Sequence, residues 1–279
     1  MAWELEDGDI YNYKVDDYII LKLYPDNRPS NLETSLRQKG VVMEYQGRPV
    51  IGEGMGFGVP LVKYKEKTFF PGSSTITHDS DSITKTFMFN TVSRKYYHGN
   101  LISDRLYRPV HRTFAYFYLK LKPLRALFDY MMSLRESAGI QTSFVRIEPR
   151  GKASITYSVA GRELIVRADF SEIQMDNIEE LVVLNEQGAT DFTSYTDSNG
   201  IEAHNEKIGA WDRVEADSAS LLNATKDLCF TLWRIPEASL FRGWEKVQGR
   251  LSWAGLNYTF SPKCKQITFK IGIHPVVSG

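Results

Sequence analysis

The chain has 279 residues, 42% of them hydrophobic and 24% charged, which suits a packed core and argues against wholesale disorder. Lys plus Arg and Asp plus Glu number 34 each, so no net charge draws the chain toward nucleic acid or an anionic membrane surface. The two cysteines, Cys229 and Cys264, are too few for a disulfide framework.

Reduced core thiols in a cytoplasmic protein are the expectation, with a single Cys229–Cys264 bridge as the alternative. The opening MAWELEDGDIYNYK has neither the basic nor the apolar region of a signal peptide. No apolar run reaches bilayer length, so a soluble cytoplasmic protein without a membrane partner is expected.

In chain order, DYIILKLY (Asp17–Tyr24) reads as a strand that stops at Pro25, and PDNRPSN as a turn. A hairpin through Gln46-Gly47 leads into a segment where Gly52, Gly54, Gly56 and Gly58 alternate with Glu53, Met55, Phe57 and Val59. Period two puts the glycines on one face of an extended segment, where another backbone, a ring or a ligand can come close. A bent or bulged strand fits better than a phosphate cradle, because no helix follows. Glu53 would sit at the edge of a cleft shaped by that bare face.

Pro71-Gly72 and Asp79-Ser80-Asp81-Ser82 are turn signals between strands. The stretch 96–113 is irregular, basic and aromatic. A helix is predicted over residues 123–138, opened by Pro123, striped by Leu124, Leu127, Phe128, Met131 and Leu134, and stopped at Gly139. From Gln141 onward strand follows strand, with turns expected at Arg150-Gly151, Ala160-Gly161 and Ser198-Asn199-Gly200. Residues 176–185 admit either a helical turn or a strand.

This is an all-β, mainly antiparallel fold, a large β-sandwich with one packed helix. In length and strand number it resembles the supersandwich of aldose-mutarotase-like proteins, without a residue-level motif in common. No linker composition appears, so residues 1–279 read as a single large β domain, with a subdivision near residue 140 as the alternative.

No H-E-x-x-H, no zinc spacing and no G-x-S-x-G elbow occurs, so neither a metal nor a cofactor is expected. Arg105, Arg108 and Arg112, interleaved with Tyr97, His98 and His111, suit an anionic or polyhydroxylated ligand. Glu202, His204 and Glu206 would share one strand face, an arrangement fit for acid–base work. Trp211, Asp212 and Arg213 combine a ring, a carboxylate and a guanidinium, as sugar sites do.

These groups point to an enzyme, or an enzyme relative, that applies acid–base chemistry to a carbohydrate or similar polyhydroxylated molecule, in the manner of a mutarotase, epimerase or lyase. His98, His111 or His204 would carry protons, Glu53, Asp212 or Glu202 would be the carboxylate partner, and the arginines, Tyr97 and Trp211 would hold the ligand. The alternative is a non-catalytic β-sandwich module that binds a sugar or lipid-like ligand with its aromatics and glycine face. A weaker third reading is a structural subunit that pairs through open strand edges. Nucleic acid is not an expected partner.

Overall fold

The computed structural model describes residues 2–6, 10–25, 39–50, 55–64, 67–97, 141–174, 176–246 and 252–275, with side chains described except at 67, 90–97 and 141–149. The described strands are β1 (Glu4–Glu6), β2 (Ile10–Lys14), β3 (Ile19–Leu23), β4 (Val42–Tyr45), β5 (Arg48–Pro49), β6 (Gly56–Tyr64) and β7 (Lys67–Phe69). They continue as β8 (Ser73–His78), β9 (Ser82–Tyr97), β10 (Gln141–Ala160), β11 (Glu163–Asp169), β12 (Ile173–Gln174), β13 (Glu180–Gln187) and β14 (Phe192–Asp197). The last are β15 (Glu202–His204), β16 (Ala210–Val214), β17 (Ser218–Asn223), β18 (Leu228–Trp233), β19 (Ser239–Lys246), β20 (Ser252–Phe260) and β21 (Gln266–Pro275). The fold is all-β and antiparallel, as the alternation predicts.

The chain divides into two compact units, Met1–Asn90 with Glu148–Gly279, and Thr91–Ile147. The second is described only as backbone, at 91–97 and 141–147. The helix predicted over 123–138 lies outside the described residues.

Three sheets build the first unit: a five-stranded meander β1-β2-β3-β4-β5, a six-stranded sheet β16-β19-β20-β13-β6-β7, and a ten-stranded sheet running β15-β14-β17-β18-β21-β11-β10-β9-β8 with β12 beside β10. One face of each contributes to a single apolar core. Ile19, Leu21 and Met43 come from the meander, Phe57, Leu181, Val183 and Tyr258 from the six-stranded sheet, and Val166, Phe230 and Ile271 from the ten-stranded one. Alternation along each strand sets this up, since neighbouring residues point to opposite faces. Val59, Leu61, Val182 and Leu184 alternate with the core set and form a second apolar cluster on the opposite face of the six-stranded sheet.

The turns at Gln46-Gly47, 79–82, Ala160-Gly161 and Asn199-Gly200 fall where the sequence places them, and residues 180–187 settle as strand β13. Arg150-Gly151 does not turn. β10 runs straight through, and short β12 pairs there, Arg150 with Gln174 and Gly151 with Ile173. A Cβ at Gly151 would meet the Glu172 carbonyl at 2.1 Å, so this glycine admits a neighbouring backbone rather than reversing the chain.

The glycine run also differs from its expected role. Gly52, Gly54 and Glu53 lie outside the described residues. Gly58 is a bulge residue: the ladder pairs Leu184 with Val59 but Asn185 with Phe57, skipping it. Its φ is +76°, and a Cβ there would sit 2.7 Å from the Tyr157 hydroxyl. That hydroxyl lies 2.9 Å from the Phe57 carbonyl and 3.1 Å from that of Gly58. The bare side of Gly58 is therefore filled from the core and does not open onto a hollow.

Candidate functional site

The second apolar face, away from the core, floors a cavity of about 390 Å³, within the usual range for small-molecule sites. Four strands supply it in register. β6 gives Leu61 and Lys63, β13 gives Val182, Leu184 and Glu186, β20 gives Trp253, Asn257 and Thr259, and β19 gives Phe241 and Glu245. Met55, Thr68, Phe70 and Trp211 complete the wall.

Two glycines make room at its deep end. Gly243 and Gly255 are direct partners across β19 and β20. A Cβ at Gly243 would lie 2.7 Å from the Trp253 ring, and one at Gly255 would lie 2.9 Å from Glu186 Cγ and 3.4 Å from the Trp211 ring. Both indoles and the Glu186 side chain thus rest on bare backbone. Trp211 and Trp253 stack with centroids 4.3 Å apart and planes 4° from parallel. Trp253 Nε1–H donates to Glu245 Oε2 at 3.3 Å, which fixes the outer ring edge.

A local irregularity aims Trp211. The ladder pairs Ala210 with Gly243 but Asp212 with Arg242, so Trp211 is the extra residue of a bulge, with φ +68°. A bulky residue in that region is strained and is retained where the surroundings fix it, here by stacking. The bulge turns the indole into the cavity and out of the alternation that the sequence suggests.

Glu186 is the chemically distinctive group. It is only 5% exposed, and loss of hydration pushes its carboxyl up from 4.5 to about 7; a hydrogen bond from the Met55 backbone works the other way. Among the described residues it has no ion-pair partner. The one cation in the wall among the described residues, Lys63, is held by Glu180 at 2.6 Å. At neutral pH Glu186 can therefore both give and take a proton, as a general acid–base group must.

Its neighbours explain why Glu186 alone of three polar residues reaches the cavity. Asn185 and Gln187 are fully buried and point the other way along the strand. Asn185 Oδ1 accepts the Gly58 N–H at 3.0 Å, satisfying the donor that the bulge leaves over. Gln187 ties β13 to the meander, accepting from the Met43 N–H and donating to the Val41 carbonyl, both at 3.4 Å.

Of the proposed catalytic and ligand-binding residues that are among the described residues, only Trp211 lines this cavity. Asp212 faces away, its Oδ2 against the bare Gly209 and 4.0 Å from Arg242 Nε. His204 is exposed on β15, its Nδ1 3.0 Å from Ser194 Oγ across the hairpin. The strand ends at His204 and a 3₁₀ turn takes Asn205–Ile208, so Glu206 leaves the face it was expected to share with Glu202 and His204. Arg213 pairs with Glu215 at 3.0 Å at a separate, polar depression. His98, His111, Glu53, Arg105, Arg108 and Arg112 lie outside the described residues, as does the Tyr97 side chain. Both cysteines are free, and among the described residues no His, Cys, Asp and Glu cluster could hold a metal ion.

Glu186 and Asn257 are the site groups that sequence reading missed. The available signal is the polar triplet Asn185-Glu186-Gln187, which continues the apolar run Leu181–Leu184 up to the turn at Gly188.

Fold and site together define an all-β protein with a tryptophan-walled cavity on the outer face of one sheet. No protein-family model and no curated protein matches the sequence. Among solved structures, the chain is similar to the α-N-acetylgalactosaminidase NagBb of Bifidobacterium bifidum, solved with GalNAc, at 6% identity and TM-score 0.46, over 95% of this chain and 36% of that one. It is also similar to a galactose mutarotase-like protein of Lactobacillus casei at 7% identity and TM-score 0.42, over 95% and 99% of the two chains. The Slr1438 protein of Synechocystis matches at 8% identity and TM-score 0.41, over 99% of each. The all-β assignment rests on the strand ladders themselves. No described helix is long and apolar enough to cross a membrane.

Proposed function

We propose that the cavity binds a sugar ring beside the Trp211–Trp253 stack and that Glu186 exchanges a proton with one of its oxygens. One observation carries this reading: a buried carboxyl poised near neutrality shares a wall with two stacked indoles. Indole faces pack well against the C–H face of a pyranose, and the polar edge groups hold hydroxyls. Anomer interconversion is the simplest chemistry of this kind. A proton leaves the anomeric hydroxyl and another reaches the ring oxygen as the C1–O5 bond breaks; the ring then closes on the other face of C1. It consumes no co-reactant. Epimerisation and lyase chemistry use the same acid–base group and stay within this proposal.

A second reading, a sugar-binding module without catalysis, is favoured by one feature. Among the described residues, the wall offers no histidine and no arginine beside Glu186. Anomer exchange in D-glucose and D-galactose, followed by NMR, separates the two. Catalysis predicts exchange accelerated by the protein and returned to the solvent rate by Glu186→Gln. Binding without acceleration selects the module, and no binding of any aldose removes both.

A further inference from the structure

Asn257 stands on β20 opposite Phe241 and two residues from Gly255, the partner of Glu186, so it is the diagonal neighbour of that carboxyl on the cavity face. It is 3% exposed, yet it lines the cavity. Its amide can face only one way. The backbone N–H of Asn185 donates to Oδ1 at 2.9 Å, and the reverse orientation would set donor against donor. The Asn185 backbone is itself held, since its side chain accepts from Gly58 N–H at 3.0 Å and donates to the Val183 carbonyl at 3.4 Å. The two N–H groups of Asn257 Nδ2 are consequently turned away from β13. Among the described residues they find no acceptor, and they are not sealed off from the cavity.

An oriented donor pair on a nine-tenths buried side chain, open only to a cavity, is built to meet something that enters it. We propose that Asn257 is the specificity residue of this site: Nδ2 donates to one acceptor oxygen of the bound sugar, a hydroxyl or the ring oxygen, next to the point where Glu186 acts. The proposal rests on the sugar reading of the cavity. It makes selectivity steep, because a ligand with hydrogen in place of that oxygen leaves a buried donor unpaired.

The test is isothermal titration of D-glucose, D-galactose and their monodeoxy analogues into wild type and Asn257→Asp. The aspartate keeps an oxygen for the Asn185 N–H and replaces the donor pair with a second, charged acceptor oxygen. Wild type should lose tenfold or more in affinity for one deoxy position. Asn257→Asp should bind the parent sugar at least tenfold more weakly and show less than a twofold penalty at that same position. A merely structural role would scale all sugars alike. An unchanged deoxy pattern in Asn257→Asp overturns the proposal and leaves the sugar site standing; wild type that binds none of these sugars overturns both. If Asn257→Asp does not fold, the Asn257 side-chain amide of wild type is read by 15N NMR: its NH2 signals should shift with the parent sugar and not with the discriminated deoxy analogue, and signals unmoved by a bound parent sugar overturn the proposal.

Discussion

Glu186 and Gly255 occupy one shared volume: a Cβ on Gly255 would lie 2.9 Å from Glu186 Cγ and 3.0 Å from the Asn185 carbonyl oxygen. The carboxyl reaches its buried position because its cross-strand partner has no side chain. Gly255→Val should therefore expel Glu186 and crowd Trp211, at an overpacking cost of about 1–3 kcal/mol. Urea denaturation should show that loss, and sugar titration should show binding gone.

Burial of Glu186 makes stability depend on pH in a stated direction. Its carboxyl rises from 4.5 to about 7 on folding, so between those values the folded state holds the proton that the unfolded chain has released. Stability due to this group is thus undiminished below about pH 4.5, falls as pH rises through that window, and is fully lost above about pH 7. At about 1.4 kcal/mol per pH unit the cost is on the order of 3 kcal/mol. Glu186→Gln should match wild type at pH 4 and exceed it by up to that amount at pH 8, measured by urea denaturation at each pH. Equal stabilities at pH 8 would mean that the carboxyl is hydrated.

Trp211 sits in a strained bulge held by its stack with Trp253. Trp211→Ala removes the stack but keeps the Cβ at positive φ, so the backbone strain remains and the stability loss should be about 0.5–1.5 kcal/mol beyond that of the lost ring burial. The paired-indole signal in circular dichroism should vanish, and sugar affinity should drop tenfold or more.

Gly58 and Tyr157 test the core side of the same sheet. Gly58→Ala places a Cβ 2.7 Å from the Tyr157 hydroxyl at φ +76°, a cost of roughly 2–4 kcal/mol. Tyr157→Phe keeps the shape and leaves buried carbonyls short of a donor, about 1–3 kcal/mol. Both should appear as a lower denaturation midpoint.

Much of this fold is legible from period two and turn chemistry. Asn199-Gly200 and Gln46-Gly47 mark hairpins because a glycine takes the positive φ each turn needs, +80° at Gly200 and +73° at Gly47, and the β6 and β13 alternation separates the core from the cavity face. What escapes is set by distant partners. Gly151 looks like a turn until β12 arrives beside it. Gly58 looks like the floor of a hollow until Tyr157 fills it. The true bare floor, Gly243 and Gly255, is two isolated glycines on separate strands, joined only by register. Glu186 resembles any strand glutamate until its neighbours bury it, and Trp211 becomes a wall residue only through a bulge that breaks its local alternation.

The most direct test is saturation-transfer NMR from the protein to D-galactose and D-glucose, with wild type, Trp211→Ala and, as an exposed control outside the cavity, His204→Ala. Transfer should be seen with wild type and His204→Ala and be lost in Trp211→Ala. Transfer that survives in Trp211→Ala at the wild-type level, or none from wild type to either sugar, would contradict a sugar site at the tryptophan stack.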